Sequence, residues 1–436
     1  PGLIENLVYA LEESAAPGRA VVCLERYLNL CMWPRSEIER MAAERTYLRL
    51  LTNIFSQSHF LTDIVFRHPD YIAWLWQEAP QDRPRTREEM LVDILGPNQG
   101  FEDFEACCAA LRRCRQREVL RIAVRDILHH APVESITEDL SNLADAALEA
   151  ALVGGRQMLA ERFGTPTELR TYTDMPARGA PATFCIIGMG KLGGRELNFS
   201  SDIDLLFVYS GEGETQGGRR SVSNTEYFGK LGEAVIRALS ENTAEGFLFR
   251  VDMRLRPHGR VGPLAVGMDS AVEYYAEYGR AWERQALIKA RPCAGDIELG
   301  KTFVKRLRPF VFPRYFDDAA LEEIRDTKAQ TEELIASRGE TEREVKLGRG
   351  GIRDIEFTVQ MLQVLNGGRW PDCRKRNTLD ALEALAQRHY LEPLETDTLA
   401  RHYRFLREIE HRLQIEDGRQ QHALPEDPDA LDEVAR

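Results

Sequence analysis

The segment that most constrains the fold is GMGKLGGRELNFSSDIDLLFVYS, which covers residues 188–210. Its glycines Gly188, Gly190 and Gly193 match the pattern G-x-G-x-x-G and follow the apolar run ATFCII. A dinucleotide-binding fold requires a full helix after such a loop and then a second strand. Only nine residues, 194–202, separate the last glycine from the next predicted strand. This spacing leaves room for one or two helical turns and argues against a dinucleotide-binding fold.

The same glycines can serve two other roles. Glycine lets backbone N–H groups approach an anion closely, as they do in phosphate-binding loops. The alternative is a tight turn between a strand and a helix that binds no ligand. The sequence leaves both roles open.

Two aspartates behind the glycines carry more information. Asp202 and Asp204 lie at the start of a predicted strand, IDLLFVYS, and the two-residue period of a strand places both carboxylates on one face. Two adjacent carboxylates repel each other unless a cation lies between them. Mg²⁺ prefers oxygen ligands and often also binds substrate phosphate. The alternative is that Asp202 caps a turn while Asp204 makes a surface contact.

The segment FRVDMRLRP predicts a third strand with two different faces. Its polar face contains one carboxylate among three guanidinium groups, and such a face can also be a plain ladder of ion pairs. Beside the two aspartates it would supply a third metal ligand and cations for phosphate oxygens. The apolar face consists of Phe249, Val251, Met253 and Leu255, and the polar face of Arg250, Asp252, Arg254 and Arg256. This combination predicts a nucleotidyltransferase site of the polymerase-β type.

The rest of the chain has helical periodicity on both sides of these strands. We predict an α+β protein, mostly helical, with a helical domain at 1–160, a nucleotidyltransferase-like sheet domain at 161–300 and a helical bundle at 301–436. The segments ESITEDLSNLADAALEAAL, LEEIRDTKAQTEELIAS and IRDIEFTVQMLQVL support the helical regions. Residues 162–182 have the composition of a linker.

Composition excludes several classes of partner. The chain has 57 Lys and Arg against 70 Asp and Glu, a net charge of −13, which argues against DNA binding. Its eight cysteines form no C-x-x-C pair, as expected for reduced thiols in a cytoplasmic protein. No apolar run approaches the roughly 20 residues that span a bilayer, so we expect no membrane association.

Four segments together resemble the bacterial glutamine synthetase adenylyltransferase family: GMGKLGGRELNFSSDIDLLF, FRVDMRLRPHGRVGPL, YYAEYGRAWERQALIKAR and KLGRGGIRDIEFTVQ. The resemblance implies a chain with two nucleotidyltransferase halves. The C-terminal half adds AMP to a tyrosine of glutamine synthetase, and the N-terminal half removes it by phosphorolysis, releasing ADP. The form GMGKLGG followed by ELNFSSDIDL, after a long helical region, is similar to the removing half. The alternatives are the adding half and a non-catalytic regulatory module that docks glutamine synthetase and PII.

The resemblance also implies roles for individual residues. Asp202, Asp204 and Asp252 would be catalytic ligands of Mg²⁺. The partners implied are adenylylated glutamine synthetase, a PII signal protein, inorganic phosphate and an adenine nucleotide. The groups expected to bind nucleotide or phosphate are Gly188, Gly190, Lys191, Ser200, Ser201, Arg254, Arg256, Lys289 and Arg291.

Overall fold

The N-terminal region is built of helices. A computed structural model describes residues 2–80, 82–170, 177–315, 343–428, 431 and 434. The helices up to residue 163 are α1 (Gly2–Glu12), α2 (Pro17–Leu30), α3 (Pro34–Ala43), α4 (Arg45–Gln57), α5 (His59–Arg67), α6 (Asp70–Gln77), α7 (Arg87–Leu95), α8 (Phe104–Ile127) and α9 (Val133–Phe163).

Helix α9 forms as its sequence predicts. Ile136, Leu140 and Leu143 recur at three- and four-residue spacing and are all buried. Helix α9 packs against α8, α7 and α11 (Asn224–Ser240) and reaches the central sheet. It therefore forms the layer that supports one side of that sheet.

The central sheet is small and mixed. It has the order β6–β4–β3–β8, and β7 pairs with the C-terminal half of β4. Strand β3 runs antiparallel to β4 and β8, while β6 and β7 run parallel to β4. Its strands are β3 (Phe184–Met189), β4 (Ile203–Tyr209), β6 (Val251–Asp252), β7 (Ala265–Gly267) and β8 (Arg291–Gly295).

Strands β3 and β4 are connected by one short helix, α10 (Gly190–Gly194). Because β3 and β4 are antiparallel, the crossover of a dinucleotide-binding fold is absent from this connection. The prediction from the spacing is confirmed. Beyond Asp204, both faces of β4 are buried: Leu205 faces one apolar core, and Leu206 faces another.

Two predictions about strands are wrong. The predicted linker at 162–182 contains two strands, β1 (Gly164–Arg170) and β2 (Ala177–Pro181), which form an antiparallel sheet with β5 (Thr215–Gly217). The predicted third strand shrinks to β6, because after Asp252 the chain enters turns that continue to residue 262. The glycines and prolines of residues 162–182 are typical of a linker, so the sequence pattern did not indicate β1 and β2. In FRVDMRLRP, apolar and polar residues alternate beyond Asp252, where the pairing of β6 with β4 ends.

Helices return after the sheet and make the fold α+β and mostly helical, as predicted. Gly279 lies between α12 (Met268–Tyr278) and α13 (Ala281–Leu287), and the position requires glycine, because a Cβ atom there would lie 2.4 Å from the Tyr275 carbonyl oxygen. Short 3₁₀ turns occur at Gly259–Val261 and Pro371–Cys373. The later helices are α12 (Met268–Tyr278), α13 (Ala281–Leu287), α14 (Ile297–Val311), α15 (Ile352–Gly367), α16 (Thr378–Gln387) and α17 (Pro393–Asp417).

The first and last helical regions contact each other. The Ser58 hydroxyl donates to the Ile415 carbonyl oxygen at 2.6 Å, which joins the start of α5 to the end of α17. The predicted domain limits stay predictions. Helix α9 runs past residue 160, and α14 runs across residue 300. The predicted helix LEEIRDTKAQTEELIAS lies outside the described residues. No helix in the described ranges is both long and apolar enough to cross a bilayer.

Candidate nucleotidyltransferase site

Three predicted carboxylates meet at one edge of the central sheet. In the sheet register, Asp204 on β4 pairs with Asp252 on β6 and with Met189 at the end of β3. Asp202 directly precedes β4. The glycine turn begins at Gly190, immediately after Met189. The fold thus brings the three carboxylates and the glycine turn together.

Asp204 is the most unusual of the three. Among the described residues, no side chain or backbone group donates a hydrogen bond to its carboxylate, although its backbone pairs in the sheet. Burial raises its pKa to about 6, with further contributions from the charges of Asp252 and Asp202. The nearest glycine makes room for it, since a Cβ atom at Gly190 would lie 2.6 Å from Asp204 Oδ2. Gly190 also has a φ of +52°, which favours glycine.

Each of the other two carboxylates is held by an arginine. Arg250 Nε donates to Asp202 Oδ1 at 2.5 Å, and Arg250 Nη2 donates to the Ser200 carbonyl oxygen at 2.6 Å. The Arg254 backbone N–H donates to Asp252 Oδ1 at 2.8 Å, and its Nε donates to Oδ2 at 2.7 Å. Burial alone would raise the pKa of Asp252, but the Arg254 hydrogen bonds and charge outweigh it and lower that pKa.

The donor set fits a hard divalent cation. Within the described part of the chain, no three carboxylate, histidine or cysteine groups are placed so that they could hold a metal ion as they stand. Asp202 and Asp252 engage arginines, and the carboxylate of Asp204 accepts no hydrogen bond from a described residue. The fit to a cation therefore rests on the chemistry of the three carboxylates and requires that they turn toward one another. A cation between the three would relieve the repulsion that raises the pKa of Asp204. Oxygen ligands of this kind suit Mg²⁺.

The other glycines serve packing. A Cβ atom at Gly188 would lie 2.5 Å from Cys293 Sγ, and one at Gly193 would lie 1.9 Å from the Lys289 carbonyl oxygen. Both positions therefore need glycine: Gly188 because β3 lies against Cys293 of β8, and Gly193 because α10 lies against the backbone just before β8. Of the predicted phosphate-loop glycines, Gly190 is the one that borders a carboxylate.

Several predicted phosphate ligands are engaged inside the protein. Lys191 Nζ donates to both carboxylate oxygens of Glu410 on α17, at 2.8 and 3.1 Å. The Ser200 hydroxyl donates to the Gly418 carbonyl oxygen at 3.1 Å, and the Ser201 hydroxyl accepts from a backbone N–H at 3.1 Å. These contacts hold the loop before β4 and leave Lys191 and Ser200 facing the interior.

Lys289, just before β8, and Arg291, its first residue, are likewise engaged in buried ion pairs. Lys289 Nζ donates to Glu196 and, at 3.2 Å, to Glu356. Arg291 forms a two-pronged pair with Asp145 on α9, at 2.7 and 3.0 Å. Their side chains are 6% and 12% exposed, so these contacts argue against phosphate binding by either one.

The two remaining predicted arginines differ. Arg254 is exposed and lies on Asp252, so it stays at the site. Arg256 folds back onto the backbone, where its Nη1 donates to the Met253 carbonyl oxygen at 2.7 Å and its Nε to that of Pro263 at 3.1 Å. Because the predicted strand ends early, Arg256 does not share a strand face with Asp252.

Sequence reasoning missed two cations near the carboxylates. Arg250 was placed on the polar face of its strand but not assigned to Asp202. Lys346 comes from the segment KLGRGG, and its charge lowers the pKa of Asp204. The basic residues of that segment were a signal, but its position beside β4 depends on tertiary packing.

A glycine turn, two aspartates at the start of β4 and a third on the adjacent parallel strand define a nucleotidyltransferase-type domain. A family model described as "Glutamate-ammonia ligase adenylyltransferase" matches residues 48–306. A second, "GlnD PII-uridylyltransferase", matches residues 319–436. The chain belongs to the glutamate-ammonia ligase adenylyltransferase family.

Relatives agree on this family. The chain is 42% identical over 380 residues to a protein of Thioalkalivibrio sulfidiphilus and 44% identical over 378 residues to one of Nitrosococcus oceani. Each match covers 87% of this chain and 38% of the relative. Both relatives are named "Bifunctional glutamine synthetase adenylyltransferase/adenylyl-removing enzyme". The chain thus spans about two fifths of the length of the curated relatives it matches.

Proposed function

We propose that this chain is the adenylyl-removing half of such an enzyme. It transfers AMP from an adenylylated tyrosine of glutamine synthetase to inorganic phosphate and releases ADP, in the control of nitrogen assimilation. The observation that carries the proposal is the meeting of Asp202, Asp204 and Asp252 beside Gly190, in a chain of this family.

The proposed reaction balances without a further reagent. A phosphate oxygen forms a bond to the α-phosphorus of the adenylyl group, and the bond from that phosphorus to the tyrosine oxygen breaks. The tyrosine oxygen leaves with the electron pair and takes up a proton. Free tyrosine has a pKa of about 10, so tyrosinate is a moderate leaving group and needs no strong general acid.

The residues of the site have distinct roles in this proposal. Asp202, Asp204 and Asp252 would hold Mg²⁺, which supplies positive charge for the phosphate oxygens. Arg250 and Arg254 orient the outer two carboxylates. The pKa of Asp204, about 6, keeps this group mostly ionised at neutral pH and ready to bind a cation.

The direction of the reaction rests on two arguments. GMGKLGG followed by ELNFSSDIDL, after a long helical region, is similar to the removing half of the family. In addition, an anionic nucleophile must approach an anionic phosphodiester, and the cations Arg250, Arg254 and Lys346 can offset that repulsion. Water would gain less from such a site than phosphate does.

The second candidate is the adding activity, because the relatives' names carry both activities. A non-catalytic docking module is a third alternative, and the unpartnered Asp204 argues against it. We also propose a PII-type signal protein as regulatory partner, since residues 319–436 match a PII-uridylyltransferase family. Titration of PII into the chain should show binding, and its absence would exclude a direct contact. A cytoplasmic location is proposed from the eight free cysteines.

One assay separates the three alternatives. The chain is mixed with Mg²⁺ and glutamine synthetase that carries radiolabelled AMP, with and without inorganic phosphate, and the products are separated by chromatography. We expect labelled ADP only when phosphate is present, and no release by the Asp204→Asn variant. Labelled AMP would indicate hydrolysis, and ATP-dependent labelling of unmodified glutamine synthetase would identify the adding half. If neither reaction occurs, the docking module is the better account.

A further inference from the structure

Arg115 on α8 is a cation without a hydrogen-bond acceptor among the described residues. No carboxylate, carbonyl or hydroxyl in the described part of the chain accepts a hydrogen bond from it. The side chain is half-buried, between Phe60 on α5 and Phe247, with its Cζ atom 5.9 Å from the centre of each ring. This distance is near the limit of about 6 Å for a cation–π interaction. The rings therefore compensate the buried charge weakly.

A second guanidinium, that of Arg250, lies near the same Phe247 ring, and we call Arg115, Arg250, Phe60 and Phe247 the arginine cluster. Arg250 Cζ is also 5.9 Å from the centre of the Phe247 ring, so Arg115 and Arg250 share one aromatic neighbour. Burial and then the charge of Arg250 lower the pKa of Arg115 to about 10, so the two cations are close enough to repel each other. Because the two guanidinium groups repel each other, an anion that binds between them would be stabilised by both.

The cluster borders the carboxylate site directly. Arg250 uses Nε for Asp202 and Nη2 for the Ser200 carbonyl oxygen, and its Nη1 has no acceptor among the described residues. The Ser200 hydroxyl bonds to Gly418, against which the Phe60 ring packs. The N-terminal helices, the sheet and the end of α17 thus meet beside Asp202. Arg250 is 39% exposed, so solutes can reach it.

We propose that Arg115 and Arg250 form a phosphate-binding subsite that holds the attacking inorganic phosphate next to Asp202. Guanidinium groups bind phosphate oxygens through paired hydrogen bonds, and Arg115 has all of its N–H groups available for such a bond. Phe60 and Phe247 form the walls that keep Arg115 in place. This inference rests on the proposed function for the identity of the phosphate as nucleophile.

The subsite explains why the helical region is part of the catalytic unit. Arg115 is far from Arg250 in sequence and comes close to it because α8 packs against α11. There Arg112 Nε bonds to the Gly246 carbonyl oxygen at 3.0 Å, and Phe247 is the next residue along the chain. The position of Arg115 therefore depends on the contact between α8 and the segment that follows α11.

The test compares phosphate binding and phosphate kinetics in matched variants. Loss of the paired bonds in Arg115→Gln should raise the Kd for inorganic phosphate, measured by calorimetry with Mg²⁺, by about tenfold or more. The KM for phosphate should rise similarly, with little change in the KM for adenylylated glutamine synthetase. The Kd and KM of Arg115→Lys for phosphate should lie between those of the wild type and those of Arg115→Gln. Arg113 is an exposed position on the same helix, so Arg113→Gln should have the wild-type Kd and KM. Thermal unfolding of each variant checks folding.

The outcomes separate this inference from the proposed function. If wild-type chain releases ADP in a phosphate-dependent way but Arg115→Gln has an unchanged KM and Kd for phosphate, the subsite is wrong and the function stands. If wild-type chain shows no phosphate-dependent release, the proposed function fails, and the calorimetric Kd alone decides the subsite. A larger effect of Arg115→Gln on ATP binding than on phosphate binding would assign the pair to nucleotide phosphates and overturn the inference.

Discussion

At the scale of single residues, the site is organised around one carboxylate, that of Asp204, which accepts no hydrogen bond from a described residue and whose pKa stays raised despite the charges of Lys346 and Arg254. Asp204 lies between two aspartates that each have an arginine, and its own space is provided by Gly190. The arrangement costs stability in the absence of a cation, because buried like charges repel. Such a cost is typical of functional sites, where stability is exchanged for binding.

The Asp204→Asn variant tests this cost through pH. The folded-state pKa of about 6 lies above the ordinary value of about 3.9. The wild-type protein therefore loses stability as pH rises from about 4 to 6. In buffer with a chelator, we expect Asp204→Asn to melt above the wild type at pH 7.5, with the difference shrinking toward pH 4.5. Parallel melting curves across this range would contradict the assignment.

The Gly190→Ala variant tests the space beside Asp204. The added Cβ would lie 2.6 Å from Asp204 Oδ2 on a backbone with positive φ, so we expect nucleotide release to fall by at least tenfold. Gly229→Ala in α11 is the matched control, because nothing lies within 4 Å of its Cβ position. That variant should keep full activity and gain up to about 1 kcal/mol in the free energy of unfolding. Full activity of Gly190→Ala would show that the close contact is unimportant.

At the scale of elements, α17 holds the glycine turn through a buried ionic network. Glu410 on α17 accepts from Lys191 of α10 at 2.8 Å and lies 3.3 Å from Arg407. Burial would raise the pKa of Glu410, but Lys191 and His422 hold it well below its usual range. The C-terminal helical region is therefore joined to the glycine turn by charge as well as by packing.

Removal of the Glu410 charge should destabilise this ionic network. Glu410→Gln leaves two buried cations undercompensated, and we expect the free energy of unfolding to fall by about 3 kcal/mol. Chemical denaturation measures the loss. Glu408→Gln, an exposed position on the same helix, should change stability by less than about 0.5 kcal/mol. Equal stability of the two variants would mean that α17 does not anchor the turn through Glu410.

The sequence predicts the strands and the glycine turn of this site better than it predicts which residues pair with their side chains. The spacing predicts a strand at Ile203 and a carboxylate pair at its start, and the structure has Asp204 in β4 and Asp202 directly before it; that both carboxylates share one face stays a prediction. The prediction of a polar strand face that extends to Arg256 is wrong, because β6 ends at Asp252. The resemblance predicts that Lys191 and Lys289 bind phosphate. In the structure they donate to Glu410 and Glu196, which lie on other parts of the chain. Such pairings depend on tertiary packing, which a local pattern cannot specify.

At the scale of the whole molecule, the helical regions do more than flank the sheet. Lys346, from the segment before α15, acts on Asp204 through its charge, and Arg115 from α8 lies near Arg250, which holds Asp202. The negative total charge of −13 is thus combined with a local cluster of cations at the site. Such a combination suits a small anionic substrate better than a polyanion such as DNA.

The central claim is that inorganic phosphate itself attacks the adenylyl phosphorus at this site. The most direct measurement supplies ¹⁸O-labelled inorganic phosphate with adenylylated glutamine synthetase and Mg²⁺, then locates the label in the released nucleotide by mass spectrometry. The account predicts ADP whose β-phosphate, including the oxygen that bridges to the α-phosphorus, comes from the labelled phosphate. Release of unlabelled AMP, with the labelled phosphate unchanged, would contradict it.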